Sequence, residues 1–169
     1  MADKGRVAMP LRDASARGKD FVEVSLGYSA DQAKEEAQRC LQCKHRPCVG
    51  GCPVGIDIPG FIGCLARGMD DEAYRVLKKY TALPAVCGRV CPQEKQCEQR
   101  CVRRTKGESV AIGNLERYAA DTYQVHNRPP KSDIPWNGHR VAVVGAGTTG
   151  RRAGGELAGV SYGGKGLKE

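Results

Sequence analysis

Seven of the nine cysteines fall in two short runs, Cys40-x2-Cys43-x4-Cys48-x3-Cys52-Pro53 and Cys91-Pro92-x5-Cys97-x3-Cys101. Thiolates spaced this closely are soft metal ligands. Three of them in one loop can wrap three corners of a cubane iron–sulfur cluster, leaving the fourth iron to a distant ligand, and in two-cluster ferredoxins the cysteine just before a proline serves the other cluster. On that reading Cys40, Cys43 and Cys48 share one [4Fe-4S] cluster with a cysteine of the second run, and Cys52 crosses to a second cluster. The two runs interlock. Four thiolates also make a tetrahedral zinc site. A zinc ribbon, however, brings two CxxC pairs, whereas the second run is spaced by five and three residues and both runs contain Cys-Pro. Iron–sulfur chemistry is therefore the stronger reading. The alternative is a zinc-stabilised basic module that binds nucleic acid or an acidic partner. Of the two remaining cysteines, Cys64 lies between apolar residues and reads as a small buried hydrophobe. Cys87 precedes Cys91 by four, and spacing alone leaves it open as a ligand.

Composition narrows the setting. Two Phe and one Trp in 169 residues give few aromatic anchors, so metal ligation can replace some of the missing packing. The odd cysteine count, the clustering of the thiols and a polar Met1–Ser25 segment without an apolar stretch favour reduced thiolates in the cytoplasm over secreted disulfides. No stretch approaches membrane-spanning length. The formal net charge of +8 suits phosphate binding at first sight. Seven ligating thiolates and two cluster cores of about +2 each would lower it to roughly +5, so part of the basicity is counter-charge and nucleic acid is not the expected partner.

These ligands need elements to hold them. Residues 1–28 show no clear period and read as an extended arm. Ser29 and Gln32 have capping-box spacing ahead of a helix that leads into Cys40. A helix is expected near Pro59, with Asp57 at its start and Gly68 as its stop, and another from Asp70 with Ala73, Val76, Leu77 and Tyr80 on its core face. Leu83-Pro84 reads as a turn feeding the second run. The stretch VAIGNLERYAADTYQVH is an amphipathic helix with Leu115, Tyr118, Ala119 and Thr122 on one side. The domain so defined covers 29–128, and a Pro-rich linker follows over 129–139.

From residue 140 the pattern changes. A short β-branched run precedes Gly145-x-Gly147-x-x-Gly150, the strand–turn–helix opening of a dinucleotide-binding unit, in which the glycines let the backbone approach a pyrophosphate. The segment SYGGKGLK neither alternates nor runs apolar, so no second strand is expected over 140–169. Glu169 falls near the place of a ribose-binding acid.

RCLQCKHRPCVGGCPVGIDIPGFI, LPAVCGRVCPQEKQCEQRC and AIGNLERYA together resemble the N-terminal iron–sulfur domain of the small (β) chain of NADPH-dependent glutamate synthase. They are also similar to the large subunit of ferredoxin:NADP oxidoreductase and to the N-terminal domain of dihydropyrimidine dehydrogenase. RVAMP and KDFVEVSLGYS are similar to the arm before that domain. The resemblance covers about residues 5–150. It implies a mostly α, alpha-helical ferredoxin-like fold with two [4Fe-4S] clusters, followed by a truncated βα start of a Rossmann-type FAD domain. It also implies ligands: Cys40, Cys43, Cys48 and Cys101 for the first cluster, and Cys52, Cys91, Cys97 and Glu116 for the second. Cys87 is then not a ligand.

The resemblance further implies a relay of electrons from an NAD(P)H-oxidising flavoprotein to a partner such as a large FMN-containing subunit. FAD, placed at Gly145, Gly147 and Gly150, and NADPH belong to a full-length form. Thr148, Thr149 and Arg151 depart from the family's usual residues there. A chain ending at Glu169 is expected not to oxidise NADPH alone. Arg89, Lys95, Arg100, Arg103 and Arg104 crowd the second run in sequence. They either raise the cluster potentials or form a solvated basic loop.

Overall fold

The computed structural model describes residues 5–126, 135, 137–159 and 163–167, the last five and residue 159 as backbone only. It divides into two compact units, Met1–His126 and Asn127–Glu169.

Helices dominate the first unit. Its elements are α1 (Ala14–Arg17), α2 (Ala30–Gln38), α3 (Ile58–Ala66), α4 (Asp70–Lys78), α5 (Pro84–Val90) and α6 (Ile112–His126), with short 3-10 turns at Val49–Gly51, Gln93–Lys95, Glu98–Arg100 and Val102–Thr105. Local chemistry explains most starts. Ser29 and Gln32 form the expected reciprocal capping box of α2. Asp57 accepts from the Gly60 amide at the head of α3, which also carries Pro59 in its first turn. Asp70, Asp71 and Glu72 place negative charge at the positive end of α4.

Helix α3 packs against α2, α4 and α6, and α5 lies along α6. Phe61, Ile62, Leu65, Leu77, Val110 and Leu115 are fully buried between them. Each large apolar side chain so buried contributes about 1.5–3 kcal/mol relative to exposure. Cys64 belongs to this core, as its apolar neighbours suggest.

Three expectations need correction. Within the arm expected over 1–28, residues 10–26 are not plainly extended: Asp13 caps α1, and Leu11 bridges Ser25 in antiparallel fashion, with Arg12 N–H donating to Val24 O at 2.9 Å and Leu26 N–H to Pro10 O at 2.8 Å. The segment folds back on itself. Pro84 does not mark a turn but opens α5, where its missing N–H costs nothing. Tyr80 lies past the end of α4 and is exposed, so Ala73 and Leu77 alone bury that helix face completely.

In the second unit β1 (Arg140–Val144) leads into α7 (Thr148–Gly159) and then β2 (Gly163–Leu167), which pairs parallel to β1 in the register Arg140 with Gly163 through Val144 with Leu167. A second strand, not expected from the sequence, is thus present. Parallel pairing is made by backbone groups, which glycines carry as well as any residue. Most of the linker expected over 129–139, and Glu169, lie outside the described residues.

Candidate metal centre

Two neighbouring places gather the cysteines. Cys40, Cys43, Cys48 and Cys101 line one cavity, with about 370 Å³ of atom-free space that includes its opening to solvent, walled by Pro47, Ile58, Ile62, Val110 and Ile112 and flanked by Arg103. Burial pushes the Cys40 thiol up and the Cys48 thiol up to about 11, with the neighbouring charges of Cys101, Cys43 and Cys40 adding to the effect. The loop around them is shaped by two residues in the left-handed region, Gln42 (φ 48°) and Arg46 (φ 44°). Such a conformation costs about 1–3 kcal/mol per residue and needs outside support. Gln42 Nε2 donates to Pro59 O at 3.0 Å and Arg46 Nη1 to Asp57 Oδ1 at 3.0 Å, which braces the loop on the head of α3.

The second place holds Cys52, Cys87, Cys91, Cys97 and Glu116. Burial is the main cause raising the Cys91 thiol to about 11 and the Cys97 thiol to about 12; Cys52 and Glu116 add to both, Cys87 to Cys91 and Glu98 to Cys97. Glu116, one turn into α6, is buried, and its Oε1 has no hydrogen-bond partner. Burial raises its carboxyl to about 8. A carboxylate oxygen so placed is costly unless something positive meets it.

Close backbone approaches build this second place. A Cβ on Gly88 of α5 would stand 2.6 Å from the Arg117 amide nitrogen of α6, so only glycine lets α5 carry Cys87 and Cys91 this near to Glu116. A Cβ on Gly51 would stand 2.7 Å from Gln96 O. That contact joins the residues just before Cys52 and just before Cys97. Arg100 Nη1 reinforces it by donating to Gly50 O at 3.0 Å.

The head of α6 is set by two distant carboxylates. Ala111 N–H donates to Glu36 Oε1 at 2.8 Å and Gly113 N–H to Glu98 Oε1 at 3.2 Å. They satisfy amides that a helix start leaves free. Glu36 is itself paired with Arg39 at 2.6 Å, both side chains buried, and receives the Val7 amide at 2.7 Å. Glu98 is paired with Arg6 at 2.7 Å. The segment before α2 therefore reaches across to hold the helix that carries Glu116. Sequence patterns did not reveal Glu36 or Glu98, because their partners lie far along the chain.

None of the nine cysteines forms a disulfide. Among the described residues no three His, Cys, Asp or Glu side chains converge as the ligands of a single ion do. The first four cysteines instead surround a cavity, which fits a group with a separate metal atom at each corner. The orphaned Glu116 oxygen among the other thiols fits a metal in the same way. The basic residues sort differently from their order in sequence. Arg89 is bound to Glu23 and Asp121, Arg100 to Gly50, and Arg103 stands at the first cavity, not the second place.

In the second unit Gly145 has φ 100°, a conformation suited to glycine, and a Cβ on Gly150 would overlap Gly145 O. Gly147 faces open space. Gly145 and Gly147 precede the start of α7, and Gly150 lies in its first turn.

Residues 17–128 match the family model described as dihydropyrimidine dehydrogenase domain II, 4Fe-4S cluster. Over 149 residues the chain is 38% identical to the glutamate synthase [NADPH] small chain of Escherichia coli (strain K12), covering 88% of this chain and 32% of that protein. It is 37% identical over 144 residues to the NADPH-Fe(3+) oxidoreductase subunit beta of Geobacter sulfurreducens (strain DL-1 / KN400), covering 84% and 21%. Over 131 residues it is 33% identical to the NAD-dependent dihydropyrimidine dehydrogenase subunit PreT of E. coli (strain K12), covering 78% and 32%. The chain thus spans about a third or less of these relatives. No helix among the described residues is long and apolar enough to cross a membrane. Helical architecture, the cysteine cavity and the matched residues agree, and the chain belongs to the family of dihydropyrimidine dehydrogenase domain II, 4Fe-4S cluster domains.

Proposed function

We propose that this chain is an electron-transfer domain that holds two [4Fe-4S] clusters, the first on Cys40, Cys43, Cys48 and Cys101 and the second on Cys52, Cys91, Cys97 and Glu116. The observation that carries the reading is the buried, unpartnered Glu116 oxygen beside thiols drawn from both cysteine runs. A [4Fe-4S] cluster, when bound, takes up and gives on one electron at a time. The chain's own residues hold it, keep water off its sulfurs through walls such as Ile58, Ile62 and Ile112, and fix its ligand loops. Cys87 stays a thiol neighbour of the second set.

The relatives carry NADPH- and NAD-linked names, which supports a relay between an NAD(P)H-oxidising, FAD-bearing flavoprotein and a redox partner. In the glutamate synthase type that partner is a large FMN-containing subunit. Gly145, Gly147 and Gly150 then open an FAD-binding βαβ unit, with NADPH bound elsewhere in the longer protein, and the setting is the cytoplasm.

Anaerobic purification with iron and acid-labile sulfide analysis tests this. Two clusters give about eight iron and eight sulfide per chain. Glu116→Ala changes one of two reduced-cluster paramagnetic signals and leaves the other. A colourless chain containing only zinc overturns the reading.

A further inference from the structure

Of the five basic residues near the second cysteine run in sequence, Arg103 is the one drawn inward. Its side chain is half-buried, and its Nε is shielded from solvent, whereas Arg89, Lys95, Arg100 and Arg104 are exposed. Arg103 lines the same cavity as Cys40, Cys43, Cys48 and Cys101. Its charge acts on the Cys40 thiol against the effects of burial and of the other thiols. At the second place the charges acting on Cys91 and Cys97 include those of Cys52, Glu98 and Glu116, all negative. Glu98 is already matched to Arg6.

We propose that Arg103 is a redox-tuning residue for the first cavity: its fixed cation favours the electron-bearing state of the cluster held by Cys40, Cys43, Cys48 and Cys101, and so raises the midpoint potential there and not at the second place. The inference rests on the two-cluster reading above. Adding one electron adds one negative charge inside an apolar wall, where a nearby positive charge is worth more than in water. The electron comes from reduced flavin in the longer protein, or from dithionite in the test. No bond forms or breaks.

The test is a dithionite titration of the anaerobically purified 169-residue chain, followed by electron paramagnetic resonance. The signal altered by Glu116→Ala identifies the second cluster, and the other is the first. Arg103→Met keeps an apolar stem and removes the charge. It should lower the first midpoint enough to change the reduced-to-oxidised ratio about tenfold at fixed poise, about 59 mV for one electron. The second midpoint should hold. Arg103→Lys should stay near wild type, and Arg104→Met should move neither. An unchanged first midpoint, or an equal shift of both, overturns the inference while the iron count leaves the proposed function standing. If Arg103→Met loses iron, Arg103→Gln is titrated in its place; loss of iron from both would make Arg103 a retention residue and overturn the tuning role. Wild-type protein without about eight iron fails at the proposed function itself.

Discussion

Gly88 of α5 and Arg117 of α6 are in backbone contact, so close that a Cβ on Gly88 would lie 2.6 Å from the Arg117 amide. Neither backbone has room to give without moving the helix. Gly88→Ala is therefore expected to cost about 1–3 kcal/mol by overpacking. The damage falls beside Glu116, so on the two-cluster proposal iron content should drop by about half, with the first cluster's signal kept. Urea unfolding and iron analysis of the same variant check both.

Glu36 serves three groups, Arg39 and the amides of Val7 and Ala111, and through Ala111 it sets the head of α6. Glu36→Ala leaves the buried Arg39 cation without its carboxylate. Breaking such a pair costs about 3–5 kcal/mol, a large share of a small domain's stability. Thermal unfolding should show a fall in midpoint well beyond that of Glu35→Ala on the exposed side of α2.

The folded-back arm is tied to the body by Glu23, which pairs with Arg89 at 2.8 Å and Arg117 at 3.2 Å, while Asp121 shares both arginines. The hydrogen bond from Arg89 holds the Glu23 carboxyl below its ordinary value. The tie is thus fully present above the ordinary Glu pKa of about 4.3 and is lost as pH falls through the lower folded value. Pepsin cutting near the exposed Phe21 should accelerate over that range, and Glu23→Gln should show the faster cutting already above it.

The proposed ligand set engages seven of the nine cysteines, so on that proposal alkylation of the loaded native chain should reach two thiols, Cys87 and Cys64. Cys64, deep in α3, should react slowly. After iron removal and unfolding all nine should be modified. Mass spectrometry of the alkylated peptides distinguishes this from a chain in which Cys87 is a ligand.

Much of the site was legible because it is local. The two cysteine runs, the Ser29–Gln32 capping box and the helix over Leu115, Tyr118 and Ala119 each depend on residues within a turn or two of one another. Glu116 became a candidate ligand only through family resemblance, since nothing in LERYA separates a ligand from a solvated glutamate. What distinguishes it is burial beside Cys91, which tertiary packing creates. Gly88 and Gly51 gave no signal, as their partners Arg117 and Gln96 are known only once the helices meet. The α5 helix was hidden by Pro84, which starts helices as readily as it makes turns. The β2 strand was hidden because GGKGL has no side-chain pattern, and its pairing with β1 is a backbone matter. The basic residues misled by proximity in sequence: the turn at Val102–Thr105 sends Arg103 to the first cavity, away from its neighbours.

The bonds from Arg6 and Val7 to Glu98, Glu108 and Glu36 bear on the order in which the protein is made. Arg6 is synthesised 92 residues before Glu98 and 102 before Glu108. The leading segment emerges from the ribosome long before most of its partners and has little to dock on until the second cysteine run and the loop ahead of α6 have followed. Contacts that span so much chain form late in folding. Arg6 and Val7 therefore close onto the domain late, and a nascent chain paused before Glu98 has Arg6 without either of its carboxylate partners.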